Sequence, residues 1–434
     1  MATTAGSIDR TYLSSVSFLD QREILNQVLD IKDEESTLLD FMDMLGMTKP
    51  TASEAYDSFT NDFLYKQATL TNDPDLSGGA GTVSVGAGDV KPVVGELILT
   101  KDGLTGLVTA VSGNDITVDP IDTFLETSLE SGDTIVFHSN AHAEGTGANL
   151  MRVSNLTKIQ NQVQIFKTKT RVTDLADGSK VEVEFDGKPY YFIKQQHDAW
   201  LKHRMDVMYG FIYNNFGSGT DANSNTVNTT RGIRNYIADY GIEQSAATPG
   251  TIVKDDFNLL GRAMDAERCP NEYIMGVGGE IDNEIEDGIA NFSELKQGGI
   301  VYNAFGGGNQ KQRAIDMGFD SFRLFNRTYH KQRWASLDHK EVTNPVAAYL
   351  FDEDAYLIPA GKVKSEHNGT EVDRMCVRYM EFGTGGDSRY QEFLTGGLAP
   401  VPTNDTGEFV VTYESIEGLD INTPQHFVRL DLGN

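Results

Sequence analysis

Thr229–Gly241 reads TTRGIRNYIADYG and follows SGTDANSNTVN, a run of small polar residues over Ser218–Asn228. Such a stretch in mid-chain admits a binding loop closing over a ligand, or a structural re-entry into a folded region. The flanks decide between them. Upstream, YYFIKQQHDAWLKHRMDVMYGFIYNNF (190–216) keeps Ile193, Trp200, Leu201, Met205, Met208, Phe211 and Ile212 on a helical period, with Gly217 as its stop. Further upstream lies RVSNLTKIQNQVQIFKTKTRVTDLA (152–176), whose period-2 pattern reads as strand. A strand, a long helix, a polar gap and a short amphipathic segment therefore follow in order.

Beyond this centre the sequence changes character twice. Residues 1 to about 70 carry helical patterns, QREILNQVLDIKDEESTLLDFMDML, broken at DIKDEES. The stretch 71–147 is rich in Gly, Val and Thr. Its short runs GELILT, GLVTAVS, NDITVDP and GDTIVFH are separated by Gly, Asn and Asp turns, which predicts a small all-β unit. Residues 217–360 read as mixed α/β, and 361–434 as strands and loops. With 434 residues and about 150 residues per domain, about three structural units are expected.

Charge and cysteine content exclude whole classes of function. The 36 Lys+Arg against 64 Asp+Glu give a net charge of −28, which disfavours binding nucleic acid across the whole surface. Two cysteines, Cys269 and Cys376, build no disulfide framework and predict a reducing compartment. No run approaches the ~20 apolar residues of a membrane span, and the start lacks the pattern of a signal peptide.

Catalytic, cofactor-binding and metal-ligating sets are not found. GVGGEI at Gly276 and AFGGGNQ near Gly306 lack dinucleotide spacing and read as turns. His138 and His142 in HSNAH, with Glu144 nearby, end a β run and read as a turn rather than a zinc site. DPDLSGG from Asp73 starts like a calcium loop, but Ser84 stands where its closing Glu is needed. His197 and His203 sit among charges on the long helix and read as solvated or interface histidines. Neither HExxH nor GxSxG occurs.

The order of these pieces resembles the major capsid proteins of tailed bacteriophages with the Hong Kong 97-like fold. Asn155, Thr157 and Ile159 match that family's N-x-T-x-I strand before the spine helix. Thr230, Arg231, Gly232 and Ile233 match the motif that opens the passage into the axial domain. MGFDSFRLFNRTYH and AYLFDEDAYLIPAGKV are similar to its late strands. The resemblance runs from about residue 20 to 360 and is most specific from 145 to 240. The β-rich stretch is large enough for a discrete insertion, and the segment from Gly361 is longer than the family pattern leads one to expect.

This resemblance implies an α+β fold in five parts. They are an N-terminal arm (1–70), an extended loop with a β-rich insertion (71–147), a peripheral domain with the spine helix (148–216), an axial α/β domain (217–360), and a return to the peripheral domain (361–434). Thr229–Gly241 becomes a re-entry from a flexible connection, with Gly232 supplying a turn and Ile233 and Tyr236 anchoring the core. The implied function is a shell of hexamers and pentamers, in the virion, that encloses double-stranded DNA without reading its sequence. No cofactor or membrane is implied. Assembly in the bacterial cytoplasm on a separate scaffolding protein and portal is expected, with room for a decoration protein. Because the arm-like pattern SSVSFLDQREILNQVLD begins at Ser14, no fused scaffold and no cleavage of a large N-terminal segment are expected. Another virion component, such as a tail or decoration protein, and a cytosolic enzyme with a β-rich module are the alternatives.

One charge pattern singles out contact residues. Between Glu144 and Asp174 there is no acidic residue, while Arg152, Lys158, Lys167, Lys169 and Arg171 are basic. Strand periodicity puts Lys167, Lys169 and Arg171 on one face and Phe166, Thr168 and Thr170 on the other. That face is either simply solvated, or it receives the acidic arm of a neighbouring subunit, where Asp33, Glu34 and Glu35 crowd around Lys32, or it touches DNA phosphates.

Overall fold

A computed structural model describes residues 37–44, 46–61, 67–76, 79–121, 129–148, 156–173, 184–185, 188–294, 320–338, 351–364, 369–382, 386–387, 389–397, 402–403 and 405–433. The protein forms two compact units, Ser58–Ile159 and the remainder.

In the first unit, the alternating runs legible in the sequence become strands Glu96–Leu99, Thr105–Ser112, Asp115–Pro120 and Thr134–Asn140. Gln67–Thr69 and Gly81–Ser84 lie at the two ends of this six-stranded sheet. Those ends meet: Leu70 bridges Val85, the Thr71 amide donates to the Ser84 carbonyl (2.9 Å), and the Gly86 amide donates to Thr69 (3.3 Å). The sheet thereby closes into a small barrel, which leaves no free edge for strand addition. Its interior is apolar because every second residue points inward: Val83 and Val85, Ile116 and Val118, Ile135 and Phe137 are all buried together with Leu70, Ile98 and Val108.

Among its described residues the second unit holds two six-stranded sheets. In the long-strand sheet, Thr48–Thr51, Met375–Phe382, Glu408–Ile421 and Gln164–Thr173 lie side by side. Gln391–Thr395 pairs with the same long strand Glu408–Ile421. The helix Tyr190–Tyr213 packs across Gln164–Thr173 and Glu408–Ile421. It buries His203, Val207, Met208, Phe211 and Ile212, one face at 3.6-residue spacing. Each large apolar side chain so buried contributes about 1.5–3 kcal/mol. The helix ends at Tyr213, before Gly217, because the Asn214 carbonyl turns to accept the Gly232 amide (2.8 Å). The predicted flexible connection is instead a hairpin, Gly217–Thr220 paired with Thr226–Thr229. Its tip is held by the Asp221 carboxylate accepting from the amides of Asn223 and Asn225 (both 2.8 Å).

The α/β sheet has the order Ile242–Ser245, Val428–Asp431, Asp354–Pro359, Glu272–Val277, Arg327–Arg333, Asp320–Leu324. Helices Lys254–Ala266 and Gly279–Glu294 accompany it, and Phe257, Leu260, Met264, Ile281 and Ile285 share its core with Tyr273, Met275 and Val277. The segment after Gly361 therefore serves both sheets: its long strand lies in one, its last strand in the other. No helix among the described residues is long and apolar enough to cross a membrane.

Candidate functional site

The Thr230–Ile233 motif lies where the long helix, the strand Leu156–Gln162 and the long strand Glu408–Ile421 converge. Asn161, fully buried, is the hub. Its Nδ2 donates to the Leu419 carbonyl (2.5 Å), the Arg231 carbonyl (3.3 Å) and Thr230 Oγ1 (3.2 Å). Its Oδ1 accepts from the amides of Arg231 (2.7 Å) and Gln162 (2.8 Å). The Leu419 carbonyl also accepts from the hydroxyls of Tyr56 (2.9 Å) and Tyr236 (3.2 Å), and the Leu419 amide donates to Thr230 Oγ1 (3.2 Å). Burial pushes both phenols above their ordinary range, so they remain protonated donors.

Arg231 and Gly232 explain the rest of the motif. The Arg231 guanidinium pairs with Asp239 and lies 5.1–5.4 Å from the ring centroids of Phe216, Tyr236 and Tyr240. Gly232 differs from expectation. Its φ is −85° and its ψ 168°, extended backbone open to any residue, so no turn requires it. Close approach does: a Cβ there would stand 2.8 Å from both the carbonyl carbon and the carbonyl oxygen of Ile212. Ile233 and Tyr236 are buried, as their anchoring role requires. Thr157 is half-buried and Ile159 buried; Asn155 lies outside the described residues.

The basic strand has the facing that periodicity predicts. Phe166 is buried under the long helix, while Lys167, Lys169 and Arg171 point away from it and are exposed. Lys167 meets Glu414 (3.0 Å) and Arg171 meets Glu408 (3.3 Å), both on the adjacent long strand. Lys169, between them, stands opposite Thr412 and has no ion pair among the described residues. Sequence reasoning missed the apolar part of this face. Ile165 shares the strand face and is 57% exposed; Phe393, opposite Thr412 on the next strand, is 44% exposed. Asp33, Glu34 and Glu35 lie outside the described residues.

Three other sequence readings meet the structure here. His203 is fully buried, not solvated. Its Nε2 lies 2.8 Å from Ser415 Oγ and its Nδ1 3.3 Å from Thr168 Oγ1, and burial depresses its pKa. The signal was available, since 203, 207 and 211 share one helical face. His197, by contrast, is exposed. GVGGEI is not a turn throughout: Gly276 is inside strand Glu272–Val277, where a Cβ would stand 2.2 Å from the Trp334 ring. Gly279 opens the next helix, and its amide donates to Asp338 Oδ1 (2.5 Å), so a carboxylate of the same protein occupies the anion-seeking helix end. His138 and His142 are both exposed at the barrel surface.

No curated protein matches this one in sequence. Among solved structures it is similar to the capsid of Myoviridae phage XM1 (9% identity, TM-score 0.43, 99% of both proteins covered). It is also similar to the capsid of cyanophage P-SCSP1u (9%, TM-score 0.42, 96% of this chain and 94% of that one). A third likeness is to the capsid of a native GTA particle (8%, TM-score 0.41, 98% and 99%). The model of the SU10 major capsid protein family matches residues 4–317, and the chain belongs to that family, as an α+β major capsid protein of the bacteriophage virion shell and not an enzyme.

Proposed function

We propose that copies of this protein associate as hexamers and pentamers, closing an icosahedral head around double-stranded DNA without reading its sequence. Family membership over residues 4–317 carries this reading. A closed shell needs several self-complementary surfaces related by rotation rather than an active site, and many modest contacts act together once it closes. The net charge of −28 keeps the inner surface from gripping phosphate across its whole extent. Assembly takes place in the bacterial cytoplasm on a separate scaffolding protein and portal, with room for a decoration protein.

In this reading 1–70 is the arm, 71–147 the extended loop with its insertion, 148–216 the peripheral domain, 217–360 the axial domain, and 361–434 the return. Support comes from the barrel strands between Gln67 and Asn140 and from the long helix at Tyr190–Tyr213. The outer strand face of Lys167, Lys169 and Arg171 receives Asp33, Glu34 and Glu35 of a neighbouring subunit. The ion-pair vacancy of Lys169 among the described residues, between exposed Ile165 and Phe393, supports that contact.

Negative-stain microscopy and sizing chromatography of the protein, with and without its scaffolding protein, test the assembly. Closed shells or curved sheets are expected. A small closed oligomer under all conditions overturns it.

A further inference from the structure

Two connections run between the long-strand sheet and the α/β sheet near the C-terminal end. Asn422–Phe427 leads from Glu408–Ile421 into the last strand, Val428–Asp431. Strand Asp354–Pro359 leads, through the hairpin Lys362–Lys364 and Glu371–Asp373, to Arg374 and then Met375–Phe382. The connections are bonded to each other. The Asn422 amide donates to the Arg374 carbonyl (2.7 Å), and Asn422 Nδ2 donates to the Asp373 carbonyl (2.9 Å).

The guanidinium of Arg374 completes the join. Its Nη1 donates to Thr423 Oγ1 (3.2 Å) and to His426 Nδ1 (2.9 Å). The His426 carbonyl in turn accepts from the Tyr273 hydroxyl (3.0 Å), on a central strand of the α/β sheet. Thr423 holds φ 64°, a left-handed conformation that a non-glycine residue keeps only when its surroundings fix it.

The chemistry of the pair is unusual. Arg374 is 9% exposed, has no carboxylate partner among the described residues, and leaves its buried Nε without an acceptor. It therefore relies on neutral acceptors. His426 Nδ1 accepts a hydrogen bond only when the ring is neutral and its proton is on Nε2, the arrangement favoured by the facing Glu267 carbonyl. The other titratable groups around the pair are the Tyr273 phenol and the Cys269 thiol, with Arg327 and the Glu267 carboxylate acting on that thiol; among the described residues no carboxylate acts on His426 itself to shield an added proton. Burial first, and Arg374 second, hold His426 below the ordinary imidazole range. Protonation turns the acceptor into a donor and sets two cations in contact, Arg374 buried and His426 half-buried.

We propose that Arg374 and His426 form a proton-releasable clasp across the two connections: neutral His426 holds them together, and protonated His426 lets them part. Its opening loosens one sheet against the other while both keep their own cores. The clasp belongs to the isolated protein, so it stands or falls independently of the proposed shell contacts.

Hydrogen–deuterium exchange of the full chain at about pH 7.5 and about pH 5, corrected for intrinsic rates, reads it directly. In the wild type, protection of the Asn422 and Phe427 amides should fall at least about tenfold on acidification. His426→Gln keeps an acceptor that does not titrate, and should show no such fall. The barrel strand Thr105–Ser112 should be unchanged in both. A wild type without the fall, or a His426→Gln with the same fall, overturns the proposal. The His426 ring titration, followed by NMR in the wild type and in Arg374→Gln, gives a second readout that asks nothing of the His426 variant. Loss of the neighbouring cation must raise the titration point, and an unmoved point also overturns the clasp.

Discussion

The junction at Thr230–Ile233 and the outer face of Gln164–Thr173 adjoin the same long strand, yet they use polar groups in opposite ways. At the junction Asn161, Thr230 and the Leu419 peptide are buried and bonded to one another at 2.5–3.2 Å. On the outer face Lys167 and Arg171 make exposed pairs and Lys169 makes none among the described residues. Burial forces completeness, because an unpaired polar group without water costs about 1–3 kcal/mol. Exposure removes that demand and leaves groups open to a second molecule. The first region is therefore legible as architecture, while the second is left open to the contact proposed above.

The largest effect is expected where backbone meets backbone. Gly232→Val places a Cβ 2.8 Å from the Ile212 backbone, which has no flexible side chain to move aside. A loss of about 3 kcal/mol or more is expected, as a lowered urea midpoint at unchanged slope. A neutral Gly232→Val would mean that the close approach is not what selects glycine there. Next, Asn161→Ala strips the buried amide of Arg231 and the half-buried amide of Gln162 of their acceptor. Its expected cost is about 1–3 kcal/mol in the same titration, against no measurable change for Lys169→Ala. Equal costs would erase the contrast between the two regions.

His203 lies on the buried side of that contrast and makes it pH-dependent. Burial, the largest cause, holds its folded pKa below the ordinary value of 6.5, with Lys202 acting in the same sense and Asp206 and Glu414 opposing. The unfolded protein therefore takes up this proton first as pH falls. The contribution to stability is fully present above the unfolded value and is lost as pH drops through it toward the folded value. Melting temperatures measured between about pH 8 and about pH 5 should show a shallower acid decline in His203→Gln than in the wild type. Parallel curves would assign the acid sensitivity elsewhere; among the described residues His426 is the other histidine depressed by burial.

How much of this was readable beforehand depended on how local the cause was. The barrel strands announce themselves through pairs such as Ile116 and Val118, and the long helix through positions 203 to 212, since period-2 and period-3.6 patterns need only neighbours. Barrel closure was not readable, because Leu70 and Val85 meet only after the strands between them have paired around the sheet. Asn161 was missed for the same reason: its decisive acceptor, Leu419, is 258 residues away. Gly276 was misread as a turn because the Trp334 ring that excludes any larger residue there belongs to another segment. Lys167, Lys169 and Arg171 were correctly placed on one face. Which of them already had a partner depended on Glu408 and Glu414, which only the strand register brings opposite.

That register turns the smallest expected effect into the sharpest comparison. Lys167 and Arg171 already have carboxylates within the same subunit, so Lys167→Gln frees Glu414 as well as removing a cation. Lys169→Gln removes a charge with no such ion pair among the described residues. Exposed pairs are worth about 0–1 kcal/mol, so the melting temperature of the free subunit should scarcely move in either variant. Assembly repeats a contact in every subunit, so even a few tenths of a kcal/mol should appear in the concentration at which shells form. If a neighbour's Asp33–Glu35 segment is received on this face, Lys169→Gln should raise that concentration more than Lys167→Gln does, and added salt should narrow the gap between them. The triple change of Lys167, Lys169 and Arg171 to Gln should raise it further still. Light-scattering titrations across a salt series would show this ordering. Identical assembly curves for wild type and Lys169→Gln at every salt concentration would reduce the face to a solvated strand whose cations serve only their own subunit.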